Sequence, residues 1–401
     1  VSNRFKNRLK KAANIIDGYA YREPFNLYLK GVFRKNKGFG SKDRKFYKSA
    51  CYSYFRLGVA LMSYNQEERL LLGLYLTGEG EKLLDFKEVF SEEFGDIKFS
   101  DSLEERIQYI KTADESFDEK DLFPYTDLLS DEIDHSSFST SLLRKKPMWV
   151  RIAEGQETRV LNSFKKMGIE PENVEGHLKI DQNLPMDNLA KLPFEIQDIG
   201  SQKVGSHIEL NEGDKVWDCC CGAGGKSLMM SDNTVKHELY VSDTRKEIMQ
   251  NLFARYRKYD YDYPASSVVD LQVSHKQLQF LKRKQEEEVG KGFFDVIVAD
   301  VPCTGSGTWG RNPEELSHFN EDRLLRYSER QFAIVKNAIP FLKPEGKLYY
   351  ITCSAFQEEN ENLVNAVCGE LGLISSFQTY VKGYEMEGDT FFIAELHRNL
   401  K

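Results

Sequence analysis

The sequence lacks any apolar run approaching the roughly 20 residues that a membrane-spanning helix requires. Its first residues, Val1-Ser2-Asn3-Arg4-Phe5-Lys6, have none of the apolar character of a secretory signal, and the expectation is a cytoplasmic protein. Cysteine is sparse: Cys51, Cys219, Cys220, Cys221, Cys303, Cys353 and Cys368. An odd number without regular spacing excludes a secreted disulfide scaffold. No C-x-x-C pair occurs, so no metal site of the zinc type is expected. What remains is a set of free thiols available for chemistry. The chain also lacks a general excess of positive charge, with a net charge of −8. The charge is unevenly placed, however. Residues 1–50 carry 14 Lys/Arg against 3 Asp/Glu, a balance of +11, and residues 51–140 carry 8 against 21, a balance of −13. A basic arm of this kind fits phosphate binding by one face. It fits a solvated helix equally well.

What is present is ample apolar material, 40% of 401 residues, enough for two or three packed domains. Residues 1–135 read as helical. Phe5, Leu9, Ala12, Ala13 and Ile16 recur at helical spacing between Arg4, Lys6, Arg8, Lys10 and Lys11. Ser41 is placed to N-cap a helix through Tyr47, Ala50, Tyr54 and Phe55. From 136 to 205 the pattern predicts a small α/β unit. It has strands at 147–152 and around Leu178-Lys179-Ile180 and a helix over 157–168, and Asp198 or Ser201 is placed as a helix cap near its end. From 206 to 401, short apolar runs alternate with helical stretches such as Lys246–Tyr259 and Arg323–Phe341. The runs are Val216-Trp217, Leu239–Ser242, Phe294–Ala299 and Lys347–Ile351, the signature of a parallel sheet buried on both faces. Residues 390–396 read as an added edge strand and 282–288 as a solvated helix end.

The turn Cys221-Gly222-Ala223-Gly224-Gly225-Lys226-Ser227 comes after the first of these runs, where open α/β sheets bind ligands. Glycine lets backbone approach a ligand closely, and the helix beyond offers free N–H groups that suit a carboxylate. Asp243, 25 residues after Asp218, stands where a carboxylate accepts from ribose hydroxyls. A P-loop would need glycine at position 220, which is Cys220, and no G-x-G-x-x-G string opens the helix.

Two later strand ends carry cysteines. One reads Asp300-Val301-Pro302-Cys303-Thr304-Gly305-Ser306-Gly307 and the other Thr352-Cys353-Ser354. A single free cysteine reads as a buried apolar residue. Two in short motifs at neighbouring strand ends, one of them beside an aspartate, point to thiol chemistry. With the glycine turn, these motifs resemble the S-adenosylmethionine-dependent RNA cytosine-C5 methyltransferases, the Sun/Fmu family. The strings Gln197-Asp198-x-x-Ser201-Gln202, Arg311-Asn312-Pro313-Glu314 and Gln357-Glu358-Glu359-Asn360-Glu361 are similar to strings of that family. The resemblance is specific over residues 195–401.

The resemblance implies a Rossmann-like methyltransferase domain over 206–401. Before it would come a helical NusB-like domain over 1–135 and a small α/β RNA-recognition-like module over 136–205. It implies S-adenosyl-L-methionine as cofactor and RNA, ribosomal RNA in particular, as substrate. Cys353 would be the nucleophile at cytosine C6, Cys303 the second thiol that assists product release, and Asp300 the donor at N3. Cys220, Cys221, Gly222, Ala223, Gly224, Gly225, Lys226, Asp243, Asp270 and Asp300 would surround the cofactor, with Asp270 near the adenine amino group. The family reads Ala-Pro where this chain has Gly222-Ala223, a change that loosens the turn. DNA cytosine methyltransferases attack instead with the Pro-Cys cysteine. A DNA enzyme, and an RNA-binding assembly protein with a vestigial catalytic domain, are the alternatives.

Overall fold

The computed structural model describes residues 2–95, 98–181, 184–189, 191–273, 278–282 and 285–399. The chain forms two compact units. The first takes residues 1–129, 133–146 and 308–320, and the second takes 130–132, 147–307 and 321–401. Helical structure therefore runs past residue 135. The segment 308–320, reached only after the Pro-Cys motif, belongs with the N-terminal helices.

The first unit is built from α1 (Ser2–Asp17), α2 (Phe25–Lys35), α3 (Ser41–Phe55), α4 (Gln66–Leu76), α5 (Phe86–Phe94), α6 (Leu103–Ala113) and α7 (His135–Ser141). Phe5, Leu9, Ala12 and Ile16 of α1 bury one face against Phe46, Tyr47 and Ala50 of α3 and Phe86 of α5. The α3 cap is Gly40, not Ser41, which is the first helical residue; the Gly40 N–H donates to Asp43 at 3.3 Å. Asn65 caps α4 in a reciprocal pair with Glu68. In the segment 308–320, Trp309 lies buried against Phe123 and Phe319. Tyr125 donates to the Leu316 carbonyl at 2.9 Å, and Glu314 accepts the Phe25 N–H at 3.2 Å. The polar face of α1 and α2 leaves Arg4, Lys10, Lys11, Arg34 and Lys35 exposed. Lys6 pairs with Glu92 and Arg8 with Asp43.

In the second unit, β1 (Met148–Ile152), β2 (Glu172–Val174), β3 (His177–Ile180) and β4 (Phe194–Ile196) form an antiparallel sheet in the order β2-β3-β1-β4. Helix α8 (Glu157–Lys166) covers it through Val160 and Phe164, which pack with Val150, Ile180 and Phe194. The short helix α9 (Met186–Leu189) comes after β3. The sheet is tied to the rest of its unit by the buried pair of Arg151 and Asp232 and by Lys258, which meets Glu195 at 3.2 Å. Asp198 caps the next helix, α10 (Ile199–Gly205), by accepting from Gly200 N–H at 2.7 Å.

The large sheet contains β5 (Lys215–Asp218), β6 (Glu238–Asp243), β7 (Ala265–Val268), β8 (Gln279–Lys282), β9 (Gln285–Glu288), β10 (Phe294–Asp300), β11 (Leu342–Thr352), β12 (Leu373–Val381) and β13 (Phe391–Arg398). Its order is β12-β13-β11-β10-β5-β6-β7-β8-β9. The run β11-β10-β5-β6-β7 is parallel, and both flanks are antiparallel. Helices α11 (Gly225–Ser231), α12 (Lys246–Tyr259), α13 (Glu321–Ala338) and α14 (Glu361–Leu371) intervene. Two expectations are corrected. Residues 391–398 are not an edge: β13 lies between β11 and β12, and Ile393, Ala394 and Leu396 are fully buried. The charged stretch expected as a helix end is strand at 282 and 285–288, while 283 and 284 lie outside the described residues. No described helix is long and apolar enough to cross a membrane.

Candidate active site

Parallel strands that end together leave a crevice beyond their carboxyl ends. Here β5, β6, β7, β10 and β11 end around one cavity of about 540 Å³. It is lined by Cys220, Cys221, Gly222, Ala223, Gly225, Lys226, Asp243, Asp270, Asp300, Cys303 and Cys353. Of the residues expected around the cofactor, only Gly224 is outside this lining. It sits at φ +83° as the cap of α11, and a Cβ there would come within 2.7 Å of Leu252. Its part is the tight turn.

The glycine turn is held at three points. Gly222 N–H donates to Asp243 at 3.0 Å, Gly224 N–H to the Cys221 carbonyl at 2.8 Å, and Arg255 to the Ala223 carbonyl at 2.9 Å. Gly222-Ala223 therefore sits in a braced turn, against the expected loosening. Gly225 lines the cavity with bare backbone, and only Gln197 comes near a Cβ built on it.

Asp243 ends β6 and is mostly buried. Burial alone pushes its carboxyl up. The Arg245 side chain and backbone and the Gly222 N–H outweigh that and hold it below the usual range. Asp270 lies just beyond β7, is exposed, and accepts from Gln272 N–H at 3.0 Å. Asp300 ends β10 and pairs with the buried Lys226 ammonium at 2.6 Å. Lys226 also lies over the Phe391 ring at 5.0 Å.

The register Asp300↔Ile351 between β10 and β11 sets Cys303 and Cys353 at adjacent strand ends. Their sulfurs are 3.3 Å apart. The hydrogen bond shared with Cys353, and then burial, push the Cys303 thiol well up, so it keeps its proton at neutral pH. Gly307 makes the close approach possible. Its N–H donates to the Cys353 carbonyl at 3.0 Å, and a Cβ would lie 2.2 Å from the Thr390 carbonyl oxygen.

Sequence reasoning missed Tyr327, Arg330 and Ile334 of α13, which form another wall, and Arg245, which sits on Asp243. With the Gln272 amide oxygen turned toward it, Arg330 donates at 2.9 and 3.1 Å. The i, i+3, i+7 spacing of the α13 residues marks one helix face, but nothing local says which wall it meets. The string Arg311-Asn312-Pro313-Glu314 is not part of this cavity and belongs to the helical unit.

Asp218 lies beneath the turn and accepts from Ser227 at 2.6 Å. Burial pushes its carboxyl up to about 7, against the Ser227 hydrogen bond. A carboxyl raised on folding contributes stability that is complete below its unfolded value of about 3.9 and lost as pH rises through its folded value. Urea unfolding of wild type should therefore weaken between pH 4 and 7 more than that of Asp218→Asn. Parallel pH profiles would show that Asp218 titrates at its ordinary value.

Residues 206–397 match the family model described as 16S rRNA methyltransferase RsmB/F. The ribosomal RNA small subunit methyltransferase B of Enterobacter sp. (strain 638) is 24% identical over 232 residues, 56% of this chain and 51% of that protein. The protein of the same name from Salmonella arizonae is 25% identical over 280 residues, 63% of this chain and 60% of that one. The chain thus spans between half and two thirds of the length of these curated relatives. Among solved structures, PH0851 aligns with a TM-score of 0.66 at 18% identity, covering 94% of this chain and 95% of that one. NSun6 from Pyrococcus horikoshii with SFG aligns at 0.55 and 14% identity, covering 69% and 97%. The fold is the Rossmann-like one expected for residues 206–401, and over residues 206–397 the chain is similar to the RsmB/F, or Sun/Fmu, family.

Proposed function

We propose that this chain transfers a methyl group from S-adenosyl-L-methionine to C5 of cytidine in RNA, in the cytoplasm, with ribosomal RNA as the substrate. The observation that carries this reading is the pair of sulfurs at 3.3 Å on the wall of the cavity that also holds Asp243 and the glycine turn. The similarity of residues 206–397 to the RsmB/F family supports the same chemistry. An assembly protein with a vestigial site would have no need of two thiols and an aspartate converging on one cavity.

The cavity residues fit the cofactor. Asp243 is a strand-end carboxylate suited to the ribose hydroxyls, and the bare backbone at Gly222 and Gly225 leaves room for the methionine moiety above the N-terminus of α11. Asp270 is at hand for the adenine amino group. The bound cofactor supplies an electrophilic methyl. The chain supplies the nucleophile and the proton transfers. Cys353, as the thiolate, forms a bond to C6, and the C5=C6 electron pair moves toward C5. Asp300, carrying Lys226 behind it, hydrogen-bonds the N3 edge where charge develops. After C5 has gained its methyl, Cys303 first gives its proton to solvent and then, as the thiolate, takes the C5 proton; the double bond re-forms and the C6–S bond breaks, returning Cys353 as the thiolate. A thiol that holds its proton tightly is, once ionised, the better base for that step. The target base must be unpaired or extruded to present C6.

Asp243→Ala should weaken S-adenosylmethionine binding by about 1.5–3 kcal/mol in calorimetric titration. Unchanged affinity would remove Asp243 from the ribose. Residues 1–50 supply exposed cations for RNA phosphates. Neutralising Lys10, Lys11, Arg34 and Lys35 should flatten the dependence of RNA affinity on salt, and an equal slope would leave this face simply solvated. Cys353→Ala should abolish both methylation and the covalent RNA adduct seen on a denaturing gel. Cys303→Ala should slow turnover while the adduct accumulates. Adduct that persists in Cys353→Ala and vanishes in Cys303→Ala would assign the roles as in the DNA enzymes.

A further inference from the structure

A fully buried carboxylate lies under the two cysteine loops without lining the cavity. Glu359 is 0% exposed. It accepts the backbone N–H of Thr304 at 2.8 Å, the Thr304 hydroxyl, and the Gln331 amide at 2.9 Å. That same Gln331 amide donates to the Pro302 carbonyl at 3.0 Å. The residues on both sides of Cys303 are thus tied to one side-chain pair. The pair also reaches β11: Tyr350, three residues before Cys353, donates to the Glu359 carbonyl at 2.6 Å, and its hydroxyl lies 3.1 Å from the Gln331 amide oxygen. Above the carboxylate, Ser354 joins the loops by contacts of 3.3 Å to Thr304 and 3.0 Å to Ser306.

Burying a carboxylate is costly unless donors satisfy it. Only an acceptor-only group with two oxygens can take three donors converging from Thr304 and Gln331. An apolar side chain would fill the volume and leave those donors unpaired. We infer that Glu359 is a positioning residue, which fixes the Pro302-Cys303-Thr304 backbone so that the Cys303 sulfur stands over Cys353 for the release step. Glu359 also adds to the push that keeps Cys303 protonated, behind the hydrogen bond to Cys353, burial and the charge of Cys353.

This inference rests on the roles proposed for the two cysteines, and its test separates the two. In Glu359→Gln, one accepting oxygen becomes an amide nitrogen facing donors. The full chain carrying this change should lose about tenfold or more in kcat, with the KM for S-adenosylmethionine unchanged, and should accumulate the covalent RNA adduct as Cys303→Ala does. Thr304→Val, which removes one donor at constant volume, should show the same signature more weakly, and it carries the test if Glu359→Gln fails to fold. Because Glu359 acts through Cys303, adding Glu359→Gln to Cys303→Ala should lower kcat no further. Additive losses in the double variant, or a lowered melting temperature with wild-type kcat and no adduct in the single ones, would overturn the inference. Full activity in Cys353→Ala would instead sink the proposed chemistry itself and leave the buried knot a purely structural one.

Discussion

The parallel register of β10 on β11 is the constraint on which the site depends. Asp300 lies opposite Ile351, and Val301 N–H donates to the Ile351 carbonyl at 3.0 Å. Three residues further along one strand and two along the other are the cysteines. A slip of one residue would turn every side chain of the strand to the opposite face and separate the sulfurs. The register is itself over-determined. Val298 and Ala299 of β10 and Tyr349, Tyr350 and Ile351 of β11 are fully buried, so both faces of these strands are packed and a slip would have to repack both. Apolar burial deep in the sheet thereby sets a contact between two polarisable atoms at its rim.

Around that contact, charge is handled by pairing within the same layer. Lys226 is almost wholly removed from water, yet it meets Asp300 and the face of Phe391. A buried ammonium of this kind is tolerable only with such partners. Asp218 and Asp300 end neighbouring strands, and Lys226, with Ser227 beside it, comes from the first turn of the helix that leaves the glycine loop. The turn therefore does two jobs. It leaves backbone open toward the cavity and delivers the cation that offsets the carboxylates beneath it.

Much of this was legible in the sequence because it is local. Each strand-end motif combines a short apolar run with the few residues after it, and both survive in the linear pattern: Val216-Trp217 before the glycine turn, Phe294–Ala299 before Asp300, Lys347–Ile351 before Thr352. Helix α12 was legible to the residue, since its period persists over 14 positions. What was not legible is long-range. Residues 391–398 have the same apolar character whether they lie at an edge or between two strands, so β12 on their far side gave no signal. Residue 282 and residues 285–288 are Lys, Gln and Glu, good helix formers, yet they pair as strand, and tertiary context overrides propensity there. Glu359 and Gln331 are far apart in sequence and meet only because α13 and the turn after β11 lie over the same strand ends.

The segment 308–320 has a consequence for the order of synthesis. Trp309, Leu316 and Phe319 are core residues of the helical unit, and Glu314 satisfies a backbone N–H at the start of α2. These side chains are translated some 170 residues after the last of the N-terminal helices, α7. A ribosome releasing this chain from its N-terminus therefore exposes helices whose Phe123 and Tyr125 lack their packing partners Trp309 and Phe319 until residue 320 has emerged, by which time β5, β6 and β10 are also out. Expression of the helices alone would leave an apolar gap where Trp309 belongs, and cutting them away would strand the loop that leads out of the Pro-Cys motif.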